Sequence, residues 1–432
     1  MIGNKRNRFR MSRKSLAAFL LGVCMLIVSG CGSSEEAASL NPRMIADINK
    51  PGVVLIMNVY KAQIAVQDYT ISKAGNQQLL KMLSQRLKRG DLPNKQALIS
   101  AYFDEIVKNP SAYLVPSAHT TQEEAKGGCM GTGFIVTEDG YIVTNAHVVY
   151  ASDEELQKML AQSALQKIVK KDMQGFQADL SSNGYSLTED EMKRLEQVIT
   201  GFYAKHLKVS QVQQQVYAVL GMGKLQDGFA CEVKKRGDPI PGKDIAVLKA
   251  AKNHLPVVEL GDDSSMQAGD KVFVLGYPGV ATFNDALSQD AKLESTFTSG
   301  MLSARKTMTG NWDVLQIDAA ITNGNSGGPV FNEAGQVIGV ATFGSLNEQG
   351  NQIQGMNFAI PVRIVREFLA DIQVTPQSGE LTAGYRAAVD SFDNGQYEDA
   401  LEAFTEFQSA YPDVPYVQEF LDQSKAAIDK GK

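Results

Sequence analysis

One serine lies in a run of small residues that could expose it as a nucleophile. Ser326 occupies the fifth position of Thr-Asn-Gly-Asn-Ser-Gly-Gly-Pro, residues 322–329. The glycines allow a sharp turn, and they leave the amide hydrogens of Gly324 and Ser326 free to point at a substrate oxygen. A hydroxyl nucleophile with such donors could carry out acyl transfer, provided that a base takes its proton.

The histidines limit which base is available. The chain has four, His119, His147, His206 and His254, and all of them precede Ser326. The Gly-x-Ser-x-Gly elbow of α/β-hydrolases is excluded, because in that fold the histidine follows the serine. The order His, then Asp, then Ser remains open.

His147 has the most suitable surroundings for a base. Two runs of β-branched and aromatic residues, 131–136 and 141–144, flank Glu-Asp-Gly and predict a hairpin. His147 follows the second strand and would therefore be carried by a rigid element. The other three histidines lie in polar, helix-end or turn contexts, which favour surface positions.

Two aspartates could orient the histidine. Asp244 begins Asp-Ile-Ala-Val-Leu-Lys, an apolar strand with the carboxylate at its mouth, which suits a shielded acid. Asp318 lies only eight residues before Ser326. We favour Asp244 and interpret Asp318 as a structural hydrogen-bond acceptor near the serine.

Four ordered blocks resemble one known family. They are Gly-Thr-Gly-Phe (131–134), Thr-Asn-Ala-His-Val-Val (144–149), Asp-Ile-Ala-Val-Leu-Lys (244–249) and Gly-Asn-Ser-Gly-Gly-Pro (324–329). In this order they are similar to trypsin-like serine proteases of the HtrA/Deg type. The likeness covers about residues 51–372, with two breaks.

The resemblance implies a role for each candidate site residue. His147 would be the general base and acid, Asp244 its orienting partner and Ser326 the nucleophile. The amides of Gly324 and Ser326 would form the oxyanion hole. The substrate pocket would be framed by Thr342, Phe343, Gly344 and Asn357. Because no acid lies in those stretches, a small or medium apolar substrate side chain is expected.

This chain departs from the family pattern in three ways. Thr322-Asn323 stands where the family usually has Asn-Pro, the spacing from His147 to Asp244 is longer, and a tetratricopeptide-like segment stands where a PDZ domain is expected. The first departure affects the conformation expected for the segment around Ser326 before substrate binds.

The first thirty residues predict a targeting segment. Six basic residues and no acidic one precede the apolar run 16–28, which is short for a membrane span. The run ends in Val-Ser-Gly-Cys, which resembles a bacterial lipobox, so we expect a lipoprotein signal peptide (1–30), lipid attachment at Cys31 and a tether (31–42). An ordinary cleaved signal is the alternative. Both place the protein outside the cytoplasmic membrane, and the lipobox would anchor it to a bacterial membrane through its lipid.

Charge and motifs exclude several function classes. The chain of 432 residues has a net charge of −6, and without the six N-terminal bases it retains 36 basic against 48 acidic residues, or −12. Such a body does not attract nucleic acid. We find no metal-ligand cluster or phosphate loop in the sequence, so neither a metal nor another cofactor is expected.

Two cysteines remain in the mature body. Cys129 and Cys231 could pair in an oxidising compartment, or they could be two buried free thiols. The sequence leaves both alternatives open.

The expected fold class is mainly β: a trypsin-like double β-barrel (43–375) with helical insertions at about 75–110 and 150–208. The second insertion is interpreted as a hairpin packed on the barrel, and a lid over the site is the sharper hypothesis. A small C-terminal α-helical segment (380–432) matches a tetratricopeptide pattern through Gly395, Ala400, Phe404 and Pro412. That segment would be either a structural cap or a docking module for a protein partner.

The sequence therefore predicts a serine endopeptidase that cleaves polypeptides outside the membrane, in envelope protein quality control or regulated proteolysis. A catalytically silent scaffold and an esterase with the same triad are the alternatives. The oligomeric state is left open.

Overall fold

The computed structural model describes residues 39–282, 286–288, 293–346 and 352–431. The predicted signal peptide (1–30), Cys31 and residues 31–38 of the predicted tether lie outside the described residues. Within the described ranges, no helix combines the length and the apolar content needed to cross a membrane.

Two closed six-stranded barrels form the body of the protein, as the sequence predicted. The strand order is β1-β2-β3-β6-β5-β4 in the N-terminal barrel and β10-β11-β12-β9-β8-β7 in the C-terminal barrel. The strands are β1 (Val53–Ile71), β2 (Leu114–Ile135), β3 (Tyr141–Thr144), β4 (Leu207–Leu220), β5 (Phe229–Arg236), β6 (Ala246–Ala250), β7 (Lys271–Gly276), β8 (Thr296–Thr307), β9 (Asp313–Ile317), β10 (Pro329–Phe331), β11 (Val337–Leu346) and β12 (Gln352–Pro361).

Most helices precede the first barrel, follow the second barrel or form the two insertions, and two short ones follow barrel strands β3 and β7. They are α1 (Pro42–Asn49), α2 (Lys73–Lys88), α3 (Lys95–Lys108), α4 (Pro110–Tyr113), α5 (Ala146–Val149), α6 (Asp153–Ser182), α7 (Glu189–Lys205), α8 (Gly279–Thr282), α9 (Val362–Asp371), α10 (Glu380–Asp393), α11 (Tyr397–Ala410) and α12 (Val417–Asp429). Three-residue 3₁₀ turns lie at Lys50–Gly52 and Leu225–Asp227.

The first strand extends far beyond the barrel. The sequence predicts a strand at 53–59, yet β1 continues to Ile71, paired with β2 as far as Leu114 and with β4 as far as Leu207. Alternate side chains of this extension, from Tyr60 to Val66, are buried. They can be buried there because α6 and α7 cover that face, contributing Leu160, Ala164 and Ile199 to one shared apolar cluster. The insertion helices therefore bury their apolar stripes against this sheet extension.

The C-terminal helices form a separate apolar cluster around Tyr385, Ala400 and Phe404. Helix α1 adds Ile48 to this cluster, so the N-terminal helix covers part of the helical unit. The unit is also bonded to the barrels, since Thr382 Oγ1 accepts from Val257 N at 3.0 Å. These contacts favour the structural-cap interpretation. The tetratricopeptide assignment and the domain bounds remain predictions.

Candidate active site

The short helix that carries His147 begins directly after β3. Strand β3 pairs with β6 in antiparallel register, from Tyr141 opposite Lys249 to Thr144 opposite Ala246. Asp244 precedes β6, so this pairing brings Asp244 beside the residues that follow β3. His147 and Asp244 are separated in sequence by the whole second insertion, and the pairing of β3 with β6 brings them together.

His147 and Asp244 are joined by two hydrogen bonds. The backbone N–H of His147 donates to Asp244 Oδ1 at 2.9 Å, and His147 Nδ1 lies 2.6 Å from Asp244 Oδ2. An ionised carboxylate only accepts, so the Nδ1 atom must carry the proton. The other ring nitrogen, Nε2, is then the one left to accept a proton from a nucleophile.

The two side chains differ in their access to solvent. The Asp244 side chain is 0% exposed and the His147 side chain is 39% exposed. Burial of a charge is tolerated when it is hydrogen-bonded on several sides. Thr342 Oγ1 supplies a further bond to Asp244 Oδ2 at 2.8 Å. The arrangement gives a shielded acid and an accessible imidazole.

The serine loop, which we define as residues 322–328, lies between the two barrels. Thr132 N on β2 donates to Ser326 O at 2.8 Å. A Cβ atom placed on Gly131 would lie 2.8 Å from Ser326 O and 2.5 Å from Cγ2 of Val148, the neighbour of His147. The backbone of Gly131 therefore lies between the serine loop and the helix that carries His147, in close contact with both.

Two glycines are required by the shape of this loop. Gly324 has φ +104° and Gly327 has φ +87°, both in the left-handed region that glycine adopts freely. A Cβ atom on Gly324 would also meet Tyr277 O at 2.3 Å, and one on Gly327 would meet Thr132 O at 2.1 Å. Any larger residue would displace the serine.

Ser326 does not contact His147 through a hydrogen bond in the described part of the chain. Its hydroxyl donates instead to Thr342 O at 2.9 Å. Thr342 thus links both halves of the site: its hydroxyl binds Asp244 and its carbonyl accepts from Ser326. The sequence placed Thr342 only in the pocket, and its bond to Asp244 was missed because no local signal shows which buried threonine reaches a carboxylate.

The other residues predicted for the pocket lie on the neighbouring strands β11 and β12. Gly344 is paired with Asn357. Asn357 is buried, and its Nδ2 donates to Ala319 O at 2.8 Å. The side chain of Phe343 lies outside the described part of the structure.

The rival residues are engaged elsewhere. Asp318 Oδ1 accepts from Met301 N at 2.5 Å, which is a structural bond of the kind expected for it. The His119 side chain is 89% exposed, the His206 ring stacks on Phe202 at 4.2 Å, and the His254 ring lies 6.0 Å from Tyr411.

Cys129 and Cys231 are free thiols in this structure. They lie on β2 and β5, which are not neighbours in the barrel. Cys129 Sγ donates to Val148 O at 3.2 Å. Burial raises the pKa of both thiols, that of Cys231 to about 12. They are packed as small apolar side chains.

Residues 131–340 match the family model for the trypsin-like peptidase domain. The chain contains a trypsin-like peptidase domain. The matched range includes both residues of the hydrogen-bonded pair and the serine loop. The family resemblance inferred from the sequence is confirmed at this level.

Curated relatives agree with the peptidase domain. The chain is 23% identical over 313 residues to a "Probable periplasmic serine endoprotease DegP-like" of Pseudomonas putida (strain GB-1), covering 72% of this chain and 47% of the relative. It is 27% identical over 353 residues to a protein of the same description from Chlamydia muridarum (strain MoPn / Nigg), covering 78% and 51%. The chain thus spans about half the length of the curated relatives it matches.

A solved structure was also matched, "HtrA-type protease AlgW with decapeptide". It is 19% identical, with a TM-score of 0.40, and covers 77% of this chain and 67% of that one. At this level of similarity the match adds nothing to the assignment of the peptidase domain.

Proposed function

We propose that this protein is a serine endopeptidase that cleaves polypeptides through an acyl-enzyme. The observation that carries the proposal is the fully buried Asp244, bonded at 2.6 Å to the accessible ring of His147. Asp244 and Ser326 both bind the same residue, Thr342. This arrangement supports a role for His147 as a base with a fixed tautomer, in a site that it shares with Ser326 through Thr342.

The proposed reaction begins when Ser326 releases Thr342 O and gives its proton to His147 Nε2. Ser326 Oγ then attacks the scissile carbonyl, and the resulting oxyanion is bound by the amides of Gly324 and Ser326. His147, now charged, is stabilised by Asp244 and donates its proton to the leaving amine. A water molecule, deprotonated by His147, hydrolyses the acyl-enzyme and regenerates the serine.

The pocket and the location follow from the same proposal. Thr342, Gly344 and Asn357 would line the side-chain pocket, and none of these three residues is acidic. The relatives are described as periplasmic, which supports an extracytoplasmic site of action. Lipid anchoring through Cys31 and a role in envelope quality control or regulated proteolysis belong to the proposal on the strength of the sequence.

Cleavage of casein, with the new amino termini identified by mass spectrometry, tests this function. We expect the wild-type protein to release peptides, with apolar residues before the cut, and Ser326→Ala to release none. Equal release by both proteins would contradict the proposal.

A catalytically silent scaffold is the second candidate. The Ser326 hydroxyl bonds to Thr342 O and not to His147, and this observation favours it. A scaffold would leave casein intact while still retaining partners through the C-terminal helices. Any cleavage that depends on Ser326 would exclude it.

A further inference from the structure

Four consecutive carbonyls of the serine loop each accept a hydrogen bond from a fixed donor. These bonds are Gly279 N to Asn323 O at 2.8 Å, Thr132 Oγ1 to Gly324 O at 2.7 Å, Gly328 N to Asn325 O at 2.9 Å and Thr132 N to Ser326 O at 2.8 Å. Two of the four donors belong to Thr132. This residue lies on β2 of the opposite barrel, so one barrel holds the nucleophile loop of the other.

The carbonyl directions set the amide directions. In a trans peptide the N–H points opposite to the C=O. Because Asn323 O points at Gly279 N, the N–H of Gly324 is turned the other way, and the same holds for the N–H of Ser326 relative to Asn325 O. Among the described residues, neither of these two amides donates a hydrogen bond. The captured carbonyls therefore leave both amides available to a substrate oxygen.

The donor and acceptor roles of the Thr132 hydroxyl are fixed by its two neighbours. Thr132 is fully buried, and its hydroxyl accepts from Tyr277 N at 2.9 Å. Its single proton is then directed to Gly324 O. The ring of Tyr277 is buried, and its hydroxyl donates to Val53 O at 3.2 Å, which holds Tyr277 in place. The donor that holds Gly324 is thus built into the interface between the barrels.

The loop needs such a donor because its sequence does not fix its shape. Asn323 precedes Gly324, so no proline restricts φ at that position. Gly324 itself is free to adopt many conformations. The shape of the loop must come from contacts around it, and Thr132 provides two of them.

We infer that Thr132 is a positioning residue for the oxyanion-binding loop. Its hydroxyl holds the Gly324 carbonyl and so fixes peptide 324–325, which joins the two peptides that carry the Gly324 and Ser326 amides. Its N–H holds the Ser326 carbonyl on the other side. By fixing these flanking peptides, Thr132 keeps both amides turned toward the substrate. It thereby strengthens binding of the transition state and not of the ground-state peptide. This inference rests on the proposed peptidase function and deepens it.

Isosteric substitution at Thr132 provides the test. Thr132→Val keeps the shape and removes the hydroxyl, whereas Thr132→Ser keeps the hydroxyl. With a peptide substrate we expect Thr132→Val to lower kcat by about 10–100-fold with KM changed by less than about twofold, since a lost oxyanion donor costs about 10²–10³ and this loss is indirect. A peptide boronic acid should lose affinity by the same factor as kcat. Thr132→Ser should stay within about threefold of wild type.

Thr144→Val is the matched control. Thr144 is equally buried and donates to Thr132 O at 2.6 Å, but it bonds to no carbonyl of the serine loop. We expect its kcat within about twofold of wild type. Should Thr132→Val fail to fold, Thr132→Cys replaces the hydroxyl by a weak donor and should lower kcat several-fold at unchanged KM.

Three results would overturn the inference: unchanged kcat in the folded Thr132 variant, an equal loss in Thr132→Ser, or a loss of the same size in Thr144→Val. The proposed function fails separately. If the wild-type protein is inert toward substrate and boronic acid, the peptidase assignment and the role of Thr132 fall together. If the wild type is active and Thr132→Val matches it, only the role of Thr132 falls.

Discussion

The two barrels hold their parts of the site by different means. The N-terminal barrel supplies His147 and Asp244, which bind each other through side-chain atoms. The C-terminal barrel supplies Ser326, whose loop is held through its backbone carbonyls. The His147–Asp244 pair should therefore be disrupted by loss of either functional group. The serine loop should instead be disrupted by any change that alters its backbone conformation.

The largest effect is expected from removing the reacting groups themselves. Ser326→Ala and His147→Ala should each lower kcat/KM by about 10⁴-fold or more, because the proposed nucleophile or its proposed base is lost. Peptide hydrolysis measures the effect. His119→Ala is the matched control, since that side chain is 89% exposed and should leave activity unchanged. An equal loss in the control would mean that the effect is not specific to the site.

A comparison of two aspartates sharpens the contrast between the barrels. Asp244→Asn should lower kcat by about 10³–10⁴-fold, because an amide can stabilise neither the required tautomer nor the charged imidazole. Asp318→Asn retains an oxygen that can accept from Met301 N and should change kcat by less than about threefold. Steady-state kinetics of both variants decide between them. A larger loss at Asp318 would reverse our choice of the acid.

The sheet extension of the N-terminal barrel is expected to affect stability more than catalysis. Leu160 and Ile199 are buried in the cluster beneath α6 and α7. Leu160→Ala should lower the free energy of unfolding by about 2–5 kcal/mol, measured by denaturant titration, with kcat/KM within about threefold of wild type. A folded variant that loses most of its activity would favour the lid hypothesis for this insertion.

The smallest effect is expected at the two thiols, both in the N-terminal barrel. Burial raises the pKa of Cys231 to about 12, so at pH 8 only about one thiol in ten thousand is the reactive thiolate. Iodoacetamide should label Cys129 and Cys231 slowly in the native protein and fully after denaturation under reducing conditions. Native labelling of Cys231 should rise as the pH approaches 12. Peptide mass spectrometry reads out each site, and rapid native labelling at pH 8 would contradict this packing.

The candidate site residues were chosen from local pattern and chain order, and the structure brings two of them, His147 and Asp244, into contact. The order His, Asp, Ser was inferred because no histidine follows Ser326. His147 was selected because it follows a predicted strand, and Asp244 because it opens an apolar strand. Both inferences depend on short segments that were predicted as strands and are strands in the fold. The first insertion was predicted as helical for the same reason, since Leu79 and Leu83 recur at helical spacing, and both are buried.

What the sequence did not predict depends on distant partners. The extension of β1 to Ile71 is stable because α6 and α7 cover it, and no window of sequence shows that coverage. The bond from Thr342 to Asp244 joins residues 98 positions apart. The hydroxyl of Thr132 is 192 residues from the carbonyl it holds. Such contacts are set by how the barrels pack, which no local pattern encodes.

Covalent labelling tests the central claim most directly, namely that His147, Asp244 and Ser326 act as one unit. An alkyl or aryl peptide phosphonate would be added to the full-length protein and its adduct located by tandem mass spectrometry. We predict an adduct on Ser326 in the wild type, strongly slowed labelling in Asp244→Asn, and none in His147→Ala. Labelling of Ser326 at the same rate in all three proteins, or no adduct on Ser326 in the wild type, would contradict the account.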